Sequence, residues 1–150
     1  MKILEYFNTE NQEIWLAQIK ESDWAAGTLL YELVRDGKIA EFLGEHTKIL
    51  LLTDGDKLVS YCTFAKKDDI QPTELTPWIG FVYTYPEYRG GRHVGALIQY
   101  AENLAKEAGV VYTYISTGHI GLYEKYGYEF FQMMPDINGE NSRVYRKRLL

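Results

Sequence analysis

The segment Pro86-Glu87-Tyr88-Arg89-Gly90-Gly91-Arg92-His93-Val94-Gly95 concentrates the residue types that hold an anion. Glycine has no Cβ, so backbone N–H groups there approach a ligand closely. A helix starting within the segment turns the positive end of its dipole to the same place. Arg89 and Arg92 add charge that suits a pyrophosphate or a 3′-phosphate. Arg89, Gly90, Gly91, Arg92, His93, Val94 and Gly95 are therefore the candidate phosphate-binding residues. A glycine pair with arginines is equally compatible with a strand-to-helix turn made for backbone reasons alone. Other reactive types carry less. His46, His93 and His119 lie far apart without metal-ligand spacing, so no metal site is expected. Cys62, between Tyr61 and Thr63, reads as a small buried hydrophobe rather than a nucleophile.

The elements around that segment follow from periodicity. Lys2 to Phe7 reads as a first strand, with Asn8 or Thr9 capping a helix that carries Trp15, Leu16 and Ile19 at helical spacing. A second helix carries Ala26, Leu29, Leu30, Leu33, Val34 and Ile39. Lys48 to Leu52 and Leu58 to Phe64 flank Asp54-Gly55-Asp56 as a β-hairpin. Lys66 to Pro77 is a loop, and Trp78 to Tyr85 a central strand stopped by Pro86. Val94, Leu97, Ala101, Leu104, Ala105 and Ala108 form one helical stripe closed by Gly109. Val110 to Ser116 is a strand and His119 to Tyr126 a short helix ended by Gly127. Tyr128 to Met133 and Arg143 to Leu149 form a closing strand pair. The fold class is a mixed α/β (α+β) domain spanning 1–150, with a mostly antiparallel sheet and one parallel β-α-β crossover.

Downstream of the glycine turn stands Gly121-Leu122-Tyr123-Glu124-Lys125-Tyr126-Gly127-Tyr128-Glu129-Phe130. With Pro86-Glu87-Tyr88-Arg89-Gly90 before it, and with this order of elements, the chain resembles the GNAT (Gcn5-related N-acetyltransferase) superfamily over essentially its whole length. The usual phosphate loop of that superfamily is Gln or Arg, two residues, Gly, one residue, Gly or Ala. Counted from Arg89, the two glycine positions hold Arg92 and Val94, and counted from Arg92, Gly95 fits and Leu97 does not. The helical stripe favours the ungapped register from Arg89, with a diverged loop.

The resemblance implies acetyl-CoA as co-substrate, no metal, and direct attack of an amine on the thioester within a ternary complex. It also implies that the strand before the loop splays from its neighbour, so backbone donors near Val82, Tyr83 and Thr84 are candidates to meet the pantetheine arm and the carbonyl. Tyr123 matches the tyrosine that the family often places beside the sulfur, and a phenol of pKa about 10 suits protonation of a departing thiolate. Its other role is packing, since 13 tyrosines show that the chain uses the residue freely. An alkylammonium must lose a proton before it attacks, and Glu74 is the first candidate base, Asp69 the second; both also fit solvated loop acids. Trp15, Trp24 and Trp78 with Asp68, Asp69 and Glu74 would suit a cationic amine in an acidic, aromatic pocket. A non-catalytic acyl-CoA-binding or sensing domain is the alternative.

Composition bounds these readings. With 150 residues, 46% hydrophobic, the chain can build one sizeable core. A net charge of -5 opposes a phosphate backbone, so nucleic acid is not an expected partner. One cysteine forms no internal disulfide, which fits a reducing, cytoplasmic compartment. Met1 to Asn8 lacks a basic, apolar leader pattern, and no run of about 18 apolar residues predicts a membrane span. A nucleotide-binding domain is disfavoured by the absence of Gly-x-Gly-x-x-Gly. The many aromatic residues leave room for a homodimer interface that no segment marks.

Overall fold

The computed structural model describes residues 1–150 as one seven-stranded sheet with helices on both faces. The strands are β1 (Lys2–Glu5), β2 (Lys48–Asp54), β3 (Lys57–Ala65), β4 (Trp78–Thr84), β5 (Tyr112–Thr117), β6 (Glu129–Pro135) and β7 (Asn141–Arg148). They lie in the order β1-β2-β3-β4-β5-β7-β6. Only the β4–β5 neighbours are parallel, as the crossover requires. The helices are α1 (Gln12–Lys20), α2 (Ala25–Arg35), α3 (Ile39–Leu43) and α4 (His93–Glu107).

The central strands are apolar on both faces because both faces are covered. In β2, Leu51 joins Ile19, Leu30 and Leu43 beneath α1, α2 and α3, whereas Leu50 and Leu52 join Leu97, Ile98 and Ala101 beneath α4. Strand alternation thus splits one apolar run between two cores. Each such fully buried leucine or isoleucine contributes about 1.5–3 kcal/mol. A third cluster, Ile70, Trp78, Tyr114 and Val144, closes the far end of the sheet.

Local structure departs from sequence periodicity in four places. The second helix stops at Arg35, because Gly37 adopts φ +67° and Ile39 starts the separate α3. The helix expected from His119 shrinks to a 3-10 turn, Tyr123–Tyr126, since Gly121 at φ +89° cannot continue a right-handed helix. β1 ends at Glu5 in a 3-10 turn, Tyr6–Asn8. Thr9 does not cap α1: its hydroxyl donates to the Tyr6 carbonyl, and Asn11 precedes the helix.

α4 carries a buried charge. Glu102, 2% exposed, accepts from Lys147 Nζ of β7 at 3.0 Å and from the Tyr128 hydroxyl at 3.1 Å. Tyr128 also shares a 2.7 Å hydrogen bond with Thr113 of β5. This network bolts the crossover helix to the strands on the far side of the cleft.

Candidate active site

β4 and β5 meet at a single residue pair, Trp78 with Tyr114, and then diverge. The gap opens toward the carboxyl ends of both strands, where α4 begins. β4 also bulges there. Thr63 faces Gly80 and Tyr61 faces Tyr83, so Phe81 and Val82 together oppose Cys62, with Phe81 at φ +48°. Beyond the bulge, Tyr85 N–H donates to Val59 of β3 at 3.1 Å. Alternation along an extended chain therefore directs the N–H groups of Thr84 and Val82 to the other edge, toward the gap. Tyr83 N–H faces β3. The resulting cleft of about 1100 Å³ is lined by Ile79 to Thr84, the start of α4, the end of β5 and Tyr123.

The candidate phosphate segment is open to solvent and only partly arranged. Arg89, Gly90, Arg92, His93 and Val94 line the cleft, and Gly91 and Gly95 do not. Arg92 takes the left-handed conformation, φ 57°, at the start of α4. The His93 and Val94 amides in the first turn of α4 lack intrahelical partners and are free to meet an anion. Arg89 turns back on its own strand: its Nε donates to Thr84 O at 2.9 Å, its guanidinium lies 5.4 Å from the Tyr83 ring centre, and Nη2 is 3.6 Å from Asp23. Gly95 serves packing, because a Cβ there would stand 2.9 Å from the Tyr126 ring.

Tyr123 closes the opposite wall. It is 5% exposed and packs among Leu97, Ile98 and Ile115. Its hydroxyl makes none of the side-chain hydrogen bonds that hold Tyr61, Tyr83 and Tyr128. Burial pushes its pKa well above that of an ordinary phenol, with smaller contributions from Cys62 and Asp68, so the proton is retained at neutral pH. Glu124 holds the preceding turn by accepting Gly121 N–H at 3.0 Å.

The remaining wall is aromatic and acidic. Trp24, Phe42 and Phe81 line it with Asp23, Asp68 and Asp69. Trp24 stacks on Tyr83 at 5.4 Å and donates to the Tyr61 hydroxyl at 2.8 Å, which fixes its ring. Trp15 and Trp78 are buried in the cores, and Glu74 is an exposed loop residue outside the cleft lining. Sequence reasoning missed Gly80 and Phe81. A glycine inside a dense β-forming run was the available signal, since it marks a close approach to the backbone.

No three or more His, Cys, Asp or Glu residues are grouped to hold a metal ion, and no helix is long and apolar enough to cross a membrane.

This arrangement has counterparts among known proteins. The aminoglycoside 6'-acetyltransferase type Ii structure superposes with a TM-score of 0.73 at 18% identity, covering 100% of this chain and 98% of that one. An aminoglycoside 6'-N-acetyltransferase complexed with coenzyme A gives 0.71 at 15% identity, covering 100% and 98%. The aminoglycoside 6'-N-acetyltransferase from Enterococcus faecium gives 0.70 at 15% identity, with the same coverage. At such identities these likenesses establish the fold. A sequence comparison with curated proteins finds no match. The model of the Acetyltransferase (GNAT) family matches residues 3–128, a span running from β1 through the splayed strands to Tyr128. That span covers most of the chain, and the chain belongs to the GNAT acetyltransferase family.

Proposed function

We propose that the protein is an acetyl-CoA-dependent N-acetyltransferase that moves the acetyl group directly to a primary amine. The observation that carries the reading is the single cleft in which strand divergence, free backbone donors and a buried phenol meet. The pantetheine arm lies between β4 and β5, and its diphosphate faces the first turn of α4 and Arg92. The acceptor nitrogen, once neutral, attacks the thioester carbonyl carbon and forms a C–N bond. The N–H groups of Val82 and Thr84 stabilise the carbonyl oxygen as it becomes negative. The C–S bond then breaks, and the leaving thiolate takes the Tyr123 proton. The extra proton of the acceptor passes to a carboxylate or to water. Asp69, of the two carboxylates named from sequence, is the one beside the cleft.

Tyr123→Phe tests the reading. Acetyl-CoA-dependent thiol release with a panel of amines should fall by about 10²-fold in turnover while acetyl-CoA affinity stays unchanged. Turnover of the variant at the wild-type rate removes Tyr123 from the chemistry. A protein that binds acetyl-CoA and turns over no amine favours an acyl-CoA-binding domain instead, a role that the diverged Arg89 loop also suits.

A further inference from the structure

One wall of the cleft contains two adjacent carboxyl groups that no cation of the protein pairs. Asp68 is 6% exposed, and its Oδ1 has no hydrogen-bond partner; nor has Oδ1 of the adjacent Asp69. The ion pairs of the protein are Arg35–Asp36, Lys48–Glu5, Arg89–Asp23 and Lys147–Glu102, so no cation reaches either group. An ionised carboxylate buried without a partner is costly. Two adjacent ones raise the cost further through mutual repulsion. The charged or polar groups felt by Asp68 are the Asp69 carboxyl, the Asp69 amide and, across the cleft, Tyr123.

Gly80 explains where the Asp68 carboxyl lies. A Cβ on Gly80 would stand 2.0 Å from Asp68 Oδ1 and 2.5 Å from Cγ, so the acid occupies the space that any other residue of β4 would fill. That spot is one residue before the Phe81–Val82 bulge. The loop holding the acid is also anchored: Gln71 Nε2 donates to Asp68 O at 2.7 Å and to Phe42 O at 2.8 Å, and Ile137 N–H donates to Asp69 O at 2.8 Å. A carboxyl that is buried, lacks a cation, is held by its loop and lies beside the β4 bulge is placed to receive a donor.

We infer that Asp68 and Asp69 form the recognition site for the acceptor, which binds as an alkylammonium ion with its N–H groups on the two carboxyls. The inference rests on the acetyl-transfer reading of the cleft and narrows it to a class of amine. The acceptor carries its charge on an aliphatic body, which Trp24, Phe42 and Phe81 can cover. An acceptor with a carboxylate beside its amine meets repulsion and is rejected.

The test titrates 1,4-diaminobutane, and 1,4-butanediol as its uncharged counterpart, into the protein, observing the side-chain carboxyl carbons by NMR. Coenzyme A is titrated in parallel. The diamine should saturate and shift the Asp68 and Asp69 signals, the diol should not, and Asp68→Asn or Asp69→Asn should weaken the diamine at least tenfold without changing coenzyme A affinity. Gly80→Ala, which displaces the carboxyl and keeps its charge, should weaken the diamine as well. No saturable response to the diamine, or equal binding by wild type and both Asn variants, overturns the site. Diamine binding without coenzyme A binding upholds this site and defeats the acetyl-transfer reading; coenzyme A binding alone does the reverse.

Discussion

The two ends of the cleft are made differently. At the end proposed for the phosphates, Arg92 and Gly90 are exposed, Arg89 is folded back on Thr84, and the anion would be met by helix amides in contact with water. At the end proposed to hold the thioester, Tyr123 is 5% and Asp68 6% exposed, and both are fixed by packing. Binding at the first end is adjustable, and a solvent-exposed loop tolerates sequence change there. The chemistry proposed for the second end demands held geometry, because misplacing a reacting group by an ångström is costly in rate.

The largest effects should come from buried groups. Lys147→Met leaves Glu102, 2% exposed, without its cation, and should lower unfolding free energy by about 3 kcal/mol in denaturant titration. Loss of the Tyr123 phenol should cost about 10²-fold in turnover, as set out above. At the phosphate end, Arg92→Ala should weaken acetyl-CoA by about tenfold, the worth of one charge-assisted contact, with turnover at saturation unchanged. Raising ionic strength should weaken acetyl-CoA binding of the wild type in the same direction, since exposed charges are screened. Equal sensitivity of affinity and saturated turnover to salt would erase the contrast between the ends.

Two pH effects sharpen it. Burial raises the pKa of Asp68 well above the usual carboxylate range, with Asp69 adding to the effect. A raised folded-state value means that its contribution to stability is complete below the unfolded carboxylate pKa of about 4 and is lost as pH rises through the folded value. Asp68→Asn should therefore raise Tm at neutral pH, and the gain should vanish at about pH 4. Burial likewise pushes Tyr61 up to about 12, and Tyr123 and Tyr128 upward too. Their contribution is complete below the unfolded phenol pKa of about 10, so thermal stability should fall once pH rises above it.

Elements with strong local signals were legible in the sequence. The Asp54-Gly55-Asp56 hairpin, the α4 stripe ended by Gly109 and the closing strand pair all form where periodicity and turn chemistry place them. The cleft was legible only as a pair of motifs. Arg89 reads as a phosphate ligand, but its hydrogen bond to Thr84 and contact with Tyr83 depend on a chain reversal that spacing does not encode. Asp68 reads as one more loop acid, since its burial depends on the empty space at Gly80, twelve positions on. Glu74 and Asp69 look alike in sequence, and the path of the loop alone puts one in water and the other beside the cleft.

The central claim is that bound acetyl-CoA lays its acetyl group between the β4 bulge and the Tyr123 ring. Isotope-edited NMR on the complex with acetyl-CoA labelled in the methyl carbon measures that placement. Cross-relaxation from the acetyl methyl to the Tyr123 ring protons and to Val82 is the predicted result. Saturable binding with no transfer to either residue would contradict it.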